Sequence, residues 1–516
     1  MNDGWATDQA ATGRLKDWLG FIAMAVGMFL AILDIQIVAS SLIDIQIDLH
    51  IPANRLSYIQ TTYLIAEVIA IAISGWLTRA TSTRWLYAIG LAGFVLASAA
   101  CAASESYPVL YTFRFIQGLF GGVLIPAVFS AAFLMFPPQR QALATGIAGS
   151  CAMLAPTIGP FIGGWITENL SWHWLFLINI APGLIAVGAV ARWVQIDLPD
   201  WARLRRIDLI TLGLAVTFLA TLELTLKESP RLGWSSTGAL ALAVVCAVSG
   251  YNLVRRSLRA TQPLIELDIF RDRDFAIGAW FSFMLGMALF GATYLLPLYL
   301  GVVRDHGPLE IGTIMMVTGA TQLLTAPFAT VLERRYAPRG LTFLGYGLFA
   351  AGLFINARST PTWDFQALVP PQVLRGAGLL LCLLPTTRLA LGRLPPERVA
   401  QASALFNLMR NIGGAVGLAM IDTIIENRPA QHVAAIVARL QAGDRATAAF
   451  VGLPLDRFTG KPIGPIDETT RQMLEPLVQH AAATASFNEA WLVLGILVTA
   501  SLVALPFISR SGDSPA

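Results

Sequence analysis

Apolar residues fall in long blocks along this chain, each about the length of a membrane crossing, with short polar segments between them. A helix needs about 20 apolar residues to cross a bilayer. On that measure fourteen spans are predicted, at roughly 19–41, 57–77, 85–103, 108–136, 142–166, 173–194, 208–227, 236–255, 275–301, 309–331, 341–357, 368–391, 401–425 and 487–509. The pattern is that of an all-α polytopic membrane protein. One long polar segment interrupts it, about 427–486, with helix-like pieces near 430–441 and 468–485. Between them is a turn-rich stretch with Gly452, Pro454, Gly460, Pro462, Gly464 and Pro465. A loop of this length is usually functional or disordered, and an ordered hairpin is the expectation here.

Positive charge gives the spans a direction, because cytoplasmic loops collect Lys and Arg. With the N-terminus inside, inner segments hold Arg79, Arg84, Arg140, Arg192, Arg203, Arg205, Arg206, Arg255, Arg256, Arg259, Arg334, Arg335, Arg339, Arg393 and Arg398 among others. The short outer loops hold only Arg55, Lys227, Arg231, Arg304 and Arg358. Both termini are therefore expected in the cytoplasm, and the 427–486 loop outside. The first block is too long for the apolar core of a signal peptide and reads as a retained helix.

Composition adds exclusions. The chain is 55% apolar and 13% charged, against roughly 25% charged for a soluble domain. A net charge of +3, with arginines dispersed over short loops, gives no footing for nucleic acid. The four cysteines lie singly in apolar blocks, and the five histidines show no ligand spacing, so neither metal nor disulfide is expected. No Gly-x-x-x-x-Gly-Lys phosphate loop is present, which argues against a built-in ATPase.

The informative chemistry is the charge inside the spans. Asp34, Glu67 and Arg114 fall about 10, 15 and 9 Å below the outer ends of their helices, one depth band in adjacent parts of the N-terminal half. Each costs about 2.5–3.5 kcal/mol to insert, so a function or mutual pairing must retain them. Low dielectric and a neighbouring cation act in opposite senses on a carboxylic acid. A carboxyl whose surroundings alternate therefore loads and unloads a proton; Asp34 is the first candidate, Glu67 the second, with Arg114 tuning both. The C-terminal half offers Arg375, Asn407 and Arg410. Glu223 and Asp422, near outer helix ends, are expected to snorkel to water. Gln60, Tyr63, Gln117, Phe290, Tyr294, Gln322, Arg375, Asn407 and Arg410 are candidates to line a midplane cavity.

Local motifs resemble a known family. Leu33-Asp34-Ile35-Gln36-Ile37-Val38 is similar to the LDxTIVNVALP signature of the drug:proton antiporter-2 group, the fourteen-helix EmrB/QacA branch of the major facilitator superfamily. Gly75-Trp76-Leu77-Thr78-Arg79 with Arg84 is a degenerate form of the superfamily's cytoplasmic loop motif. Arg114, Gln117 and Gly118 match its RxxQG motif. Pro156, Gly159, Pro160, Gly163 and Gly164 match the antiporter motif. Trp172-His173-Trp174 with Phe176, Asn179, Pro182 and Gly183 resembles a further exporter stretch, and Leu394 to Arg398 and Asn407 to Gly414 match later helices. The chain departs from the family at Gln36, Ala39 and Ile43. It also has Arg79 where the loop motif carries Asp, and Ser82 where it carries Gly, so a gate built on that Asp cannot work unchanged.

The resemblance implies two six-helix bundles, 1–200 and 263–516, with two inserted helices at 201–262. It implies alternating access and a proton-coupled exporter of amphipathic small molecules with no cofactor. Pro160 is expected to kink the fifth span and the antiporter-motif glycines to seal the outer end of the cavity. The implied partners are a periplasmic membrane-fusion adaptor of the HlyD/EmrA type, docked on the 427–486 loop, and an outer-membrane channel. A dedicated exporter of one metabolite, such as a siderophore or organic acid, is the alternative. A membrane-embedded enzyme would need a catalytic cluster, and none stands out.

Overall fold

A computed structural model describes residues 15–51, 58–260, 263–453 and 468–508. Thirteen helices are long and apolar enough to cross a membrane, and a bent pair, Pro138–Pro156 with Ile158–Asn169, makes a fourteenth. The spans are Leu15–Val38, Tyr58–Thr81, Thr83–Ala102, Tyr107–Met135, the bent pair, Trp174–Trp193, Leu209–Leu232, Thr237–Arg259, Arg273–Val303, Leu309–Arg335, Pro338–Asn356, Phe365–Leu391, Pro396–Asn427 and Gln472–Phe507, numbered 1 to 14 below. Among the described residues there is no strand.

Local chemistry marks the helix starts. Prolines occupy the first turns of the helices beginning at 138, 338 and 396, where the missing N–H has no helical partner to lose. The side chains of Ser236, Asp272 and Asp208 accept backbone N–H groups at the starts of spans 8, 9 and 7. Asp208 also accepts from Arg256 Nη2 at 2.8 Å, tying the two ends of the 7–8 hairpin together. That bond, more than any other cause, holds the Asp208 carboxyl down at about 2.

Spans 1–6 pack among themselves, as do spans 9–14, and the two sets meet where span 5 lies on spans 10 and 12 and span 13 lies on spans 2 and 4. Small residues make the tightest contacts, as membrane interiors favour. A Cβ on Gly118 would come 2.3 Å from Tyr63 O, and one on Gly122 2.4 Å from Glu67 O, so span 4 lies backbone to backbone on span 2. Gly413 similarly faces Phe283 O at 2.0 Å, joining spans 13 and 9. Span 8 presents Leu240, Val244, Val245, Val248 and Tyr251 outward, as a lipid-facing helix does. Span 7 instead lies against both span 2 and span 13.

The bend in span 5 falls at residue 157, where its two segments diverge by 47°. Pro160 cannot donate to the carbonyl of residue 156, and its ring crowds that turn, which places the kink just ahead of the proline.

The long loop differs from its sequence reading. The first predicted piece is the helix Pro429–Gln441, followed by a short helix Arg445–Val451 that the pattern did not indicate. It closes on Gly452 at φ +87°. The second piece is not a separate helix: Glu468–Ser501 runs unbroken into span 14. Ile436, Leu440, Ala448 and Val451 bury against Val478, Ala481 and Ala482 of that extension, a small core of their own. Pro454 to Pro465, the rest of the turn-rich stretch, lies outside the described residues.

Candidate functional site

Two charged groups of side chains stand side by side, one within the N-terminal spans and one shared with spans 7 and 13, and they are built differently. The first surrounds Asp34, which is fully buried. Arg114 makes an ion pair with its Oδ2. Its Oδ1 accepts from Gln117 Nε2 at 3.0 Å and from Asn179 Nδ2 at 2.8 Å. Gln117 accepts from Arg114 Nη1 at 2.7 Å and donates to Ser98 Oγ at 2.8 Å. The guanidinium also stacks over Tyr63 at 4.3 Å from the ring centroid, and the Tyr63 hydroxyl donates to Ala31 O at 3.2 Å. Spans 1, 2, 3, 4 and 6 are thereby knotted at one point. Ser98 and the role of Asn179 were not singled out in the sequence.

The second group faces a cavity of about 130 Å³. Glu67 reaches it from span 2, Arg410 and Asn411 from span 13, and Glu223 from span 7. Gln36, Gln60, Phe290, Met153 and Pro156 are further parts of the wall. Glu67 and Arg410 are almost completely removed from the protein's outer surface, yet no ion pair joins the three charges. Arg410 donates to Asn407 Oδ1, lies over the Phe129 ring at 5.5 Å, and leaves Nη1 without a partner. The cavity can therefore offer two carboxyls and one spare guanidinium donor to whatever enters.

Several sequence-based expectations are corrected. Glu223 does not snorkel: span 7 is wedged between spans 2 and 13, so the side chain turns into the cavity. Tyr63 and Gln117 are spent on the Asp34 cluster and do not line the cavity. Asn407 is likewise occupied, donating to Ser403 O at 2.8 Å. Gln322 donates to Ser150 O at 3.4 Å across spans 10 and 5, and Tyr294 to Asp422 Oδ1 at 2.8 Å, both off the cavity. Arg375 lines a separate, smaller cavity. Gln60, Phe290 and Arg410 border the larger cavity. Asp34 and Glu67, paired as candidates by depth, are separated: only Glu67 meets the cavity.

Below the cavity the spans converge toward the arginine-rich loops. A Cβ on Gly75 would stand 2.6 Å from Gln401 Cα, so spans 2 and 13 touch backbone to backbone about 12 Å along the helix from Glu67. Ser403 Oγ donates to Pro126 O at 2.7 Å, and Arg79 pairs with Glu266 ahead of span 9. Ser82 takes the left-handed φ of +73° that glycine would adopt without strain, and it accepts from Trp85 N. The backbone N–H of Thr83 donates to the Asp197 carboxylate at 2.8 and 3.1 Å. An acid from the 6–7 connection thus caps span 3 in a loop motif whose own Asp is Arg79. Arg84 lies over the Trp85 ring. At the opposite end, Gly159 of the antiporter motif lets span 5 close on Gln36, its Cβ position being 2.4 Å from that of Gln36. Gly163 O accepts from Thr167 Oγ1, which bonds Ser41; Gly163 and Gly164 are buried in that contact.

Among the described residues no group of His, Cys, Asp and Glu could hold a metal. The Major Facilitator Superfamily profile matches residues 24–418. The chain is 37% identical over 497 residues to the "Colistin resistance protein EmrB" of Acinetobacter baumannii, covering 96% of each. It is 30% identical over 413 residues to the "Multidrug export protein EmrB" of Escherichia coli K12, covering 80% of each. In fold it resembles the proton:xylose symporter XylE, with a TM-score of 0.59 at 10% identity and 97% of each chain covered. Fourteen spans, the motif set and these relatives together place the chain in the major facilitator superfamily, in its EmrB/QacA-type branch, as a transporter and not an enzyme.

Proposed function

We propose that this protein exports amphipathic small molecules from the cytoplasm in exchange for protons, rocking spans 1–6 against spans 9–14 about the central cavity. The supporting observation is the convergence of Glu67, Glu223 and Arg410 on one cavity from three separate parts of the chain. A gated cavity between two helical sets with ionisable walls is what alternating access requires. The relatives' names, colistin resistance and multidrug export, fit the same reading.

With the arginine-rich loops in the cytoplasm of a bacterial inner membrane, both termini inside, this conformation is shut on the cytoplasmic side. Glu67 is the proton carrier: it faces the cavity without an ion pair, whereas Asp34 is fully used by three donors. The Asp34–Arg114 cluster serves as the rigid hub that moves spans 1, 2, 3, 4 and 6 together. Glu223 adds a second negative group, which favours substrates with a positive end. The helical element at 429–451 with the start of span 14 is the docking surface for a periplasmic adaptor, through which an outer-membrane channel would be reached. One proton entering down one pH unit supplies about 1.4 kcal/mol, and one charge crossing 100 mV about 2.3 kcal/mol, enough for a useful outward gradient.

The test is transport of a fluorescent cationic amphiphile in proteoliposomes, with and without an imposed pH gradient. The wild type should accumulate or expel dye only with the gradient. Glu67→Gln should still bind the dye but lose the dependence on pH, while Glu223→Gln should weaken binding by roughly tenfold. Full gradient-driven transport by Glu67→Gln would remove the coupling assignment.

A further inference from the structure

The two sets of spans treat their buried arginines differently. Arg114 in span 4 has Asp34 against it. Arg375 occupies the corresponding place in span 12, is 3% exposed, and has no carboxylate. Its guanidinium lies over the Trp491 ring at 5.1 Å, and its Nε has no hydrogen-bond partner. One helical turn earlier, Gln372 is fully buried; its Oε1 accepts from Thr318 Oγ1 at 3.1 Å while its Nε2 is left without an acceptor. Arg375, Gln372, Thr318 and Thr293 all border one small cavity of about 30 Å³ whose remaining wall is apolar.

A guanidinium cannot shed its proton, and a buried charge without a counter-charge is strongly destabilising. The donors here, cationic and neutral, converge on a space that holds one or two water-sized particles. Water would satisfy hydrogen bonds but leave the charge uncompensated. An organic acid with a hydrophobic tail would not fit. We propose that this pocket binds a single small inorganic anion of halide type, chloride in the cell, held by Arg375 and Gln372. Leu289 borders both this pocket and the central cavity, so the anion would sit one side chain away from the transport path.

The experiment is thermal unfolding of the purified full-length protein in detergent at fixed sodium concentration and ionic strength, exchanging gluconate for chloride, bromide or acetate. The wild type should show a saturable rise in Tm with chloride and with bromide and none with acetate. Arg375→Leu should lose the rise altogether while unfolding no earlier in gluconate than the wild type. Gln372→Leu, which keeps the charge, should shift half-saturation upward by about tenfold. Anomalous scattering from a bromide-soaked crystal should place the ion beside Arg375. The proposal is overturned by identical unfolding in gluconate and chloride, by a response to acetate alone, by halide dependence that persists in Arg375→Leu, or by bromide bound elsewhere only.

Discussion

The backbone N–H of Thr83 and the carboxylate of Asp197, 114 positions apart, form a two-point hydrogen bond at 2.8 and 3.1 Å. Asp197 lies in the connection after span 6, so this bond anchors that connection to the first turn of span 3. A carboxylate at a helix N-terminus meets both unsatisfied N–H groups and the positive end of the helix dipole.

Burial pushes the Asp197 carboxyl above its ordinary value, with the Thr83 bonds pulling the other way. A raised folded-state value means the folded protein prefers the protonated acid. Its contribution to stability is then complete below about pH 4 and is lost as pH rises through the folded value. Asp197→Asn, neutral but still an acceptor, should remove that decline. Asp197→Ala should instead lower stability at all pH values, by about 1–3 kcal/mol. Tm measured from pH 4 to pH 8 on the three proteins checks both statements.

Replacing Asp34 by Asn leaves Arg114 buried without its counter-charge, which should cost about 3–5 kcal/mol. Adding Arg114→Met should recover most of the loss, because the uncompensated charge is gone. A double variant no more stable than Asp34→Asn alone would mean that the pair does not act as a unit.

Gly75→Leu should hold spans 2 and 13 apart at the arginine-rich end, since a Cβ there already overlaps Gln401 Cα. The expected outcome is a folded protein that no longer transports. A cysteine placed at Ala400 in this background should become accessible to a water-soluble maleimide. Unchanged labelling would show that the contact is not the gate.

Deleting residues 429–485, with span 13 joined to the remainder of span 14 by a short glycine linker, should abolish co-purification of a periplasmic adaptor while leaving detergent-stable protein. Retention of the adaptor would move the docking site elsewhere.

Much of this was legible in the sequence. The spans followed from apolar length alone, and the depth count put Asp34, Glu67 and Arg114 in one band without separating the Asp34–Arg114 pair from Glu67. What a depth count cannot give is which neighbour each side chain meets, even for two residues one turn apart on the same face. Glu67 and Tyr63, four residues apart on one helix, end in the cavity and in the Asp34 cluster respectively. Which one faces where depends on how Gly118 and Gly122 seat span 4 against span 2. Glu223 was misjudged for a similar reason. A position near a helix end implies water only when the helix borders lipid, and the insertion of span 7 between two other spans is a tertiary fact. The missing Asp of the loop motif was visible in the sequence, but its replacement from the far side of span 6 was not.

Span 7 is fastened to both neighbours: Lys227 Nζ donates to Thr61 Oγ1 of span 2, and Trp234 Nε1, just past the helix, donates to Thr423 Oγ1 of span 13 at 3.0 Å. The seam between spans 2 and 13 is consequently barred toward the bilayer. Among the described residues, the groove between spans 5 and 10, edged by Leu143, Ile147, Leu323 and Val331, has no further span laid over it. Among the described residues the two flanks therefore present different faces to lipid: span 7 screens one seam between the two sets, and none screens the other.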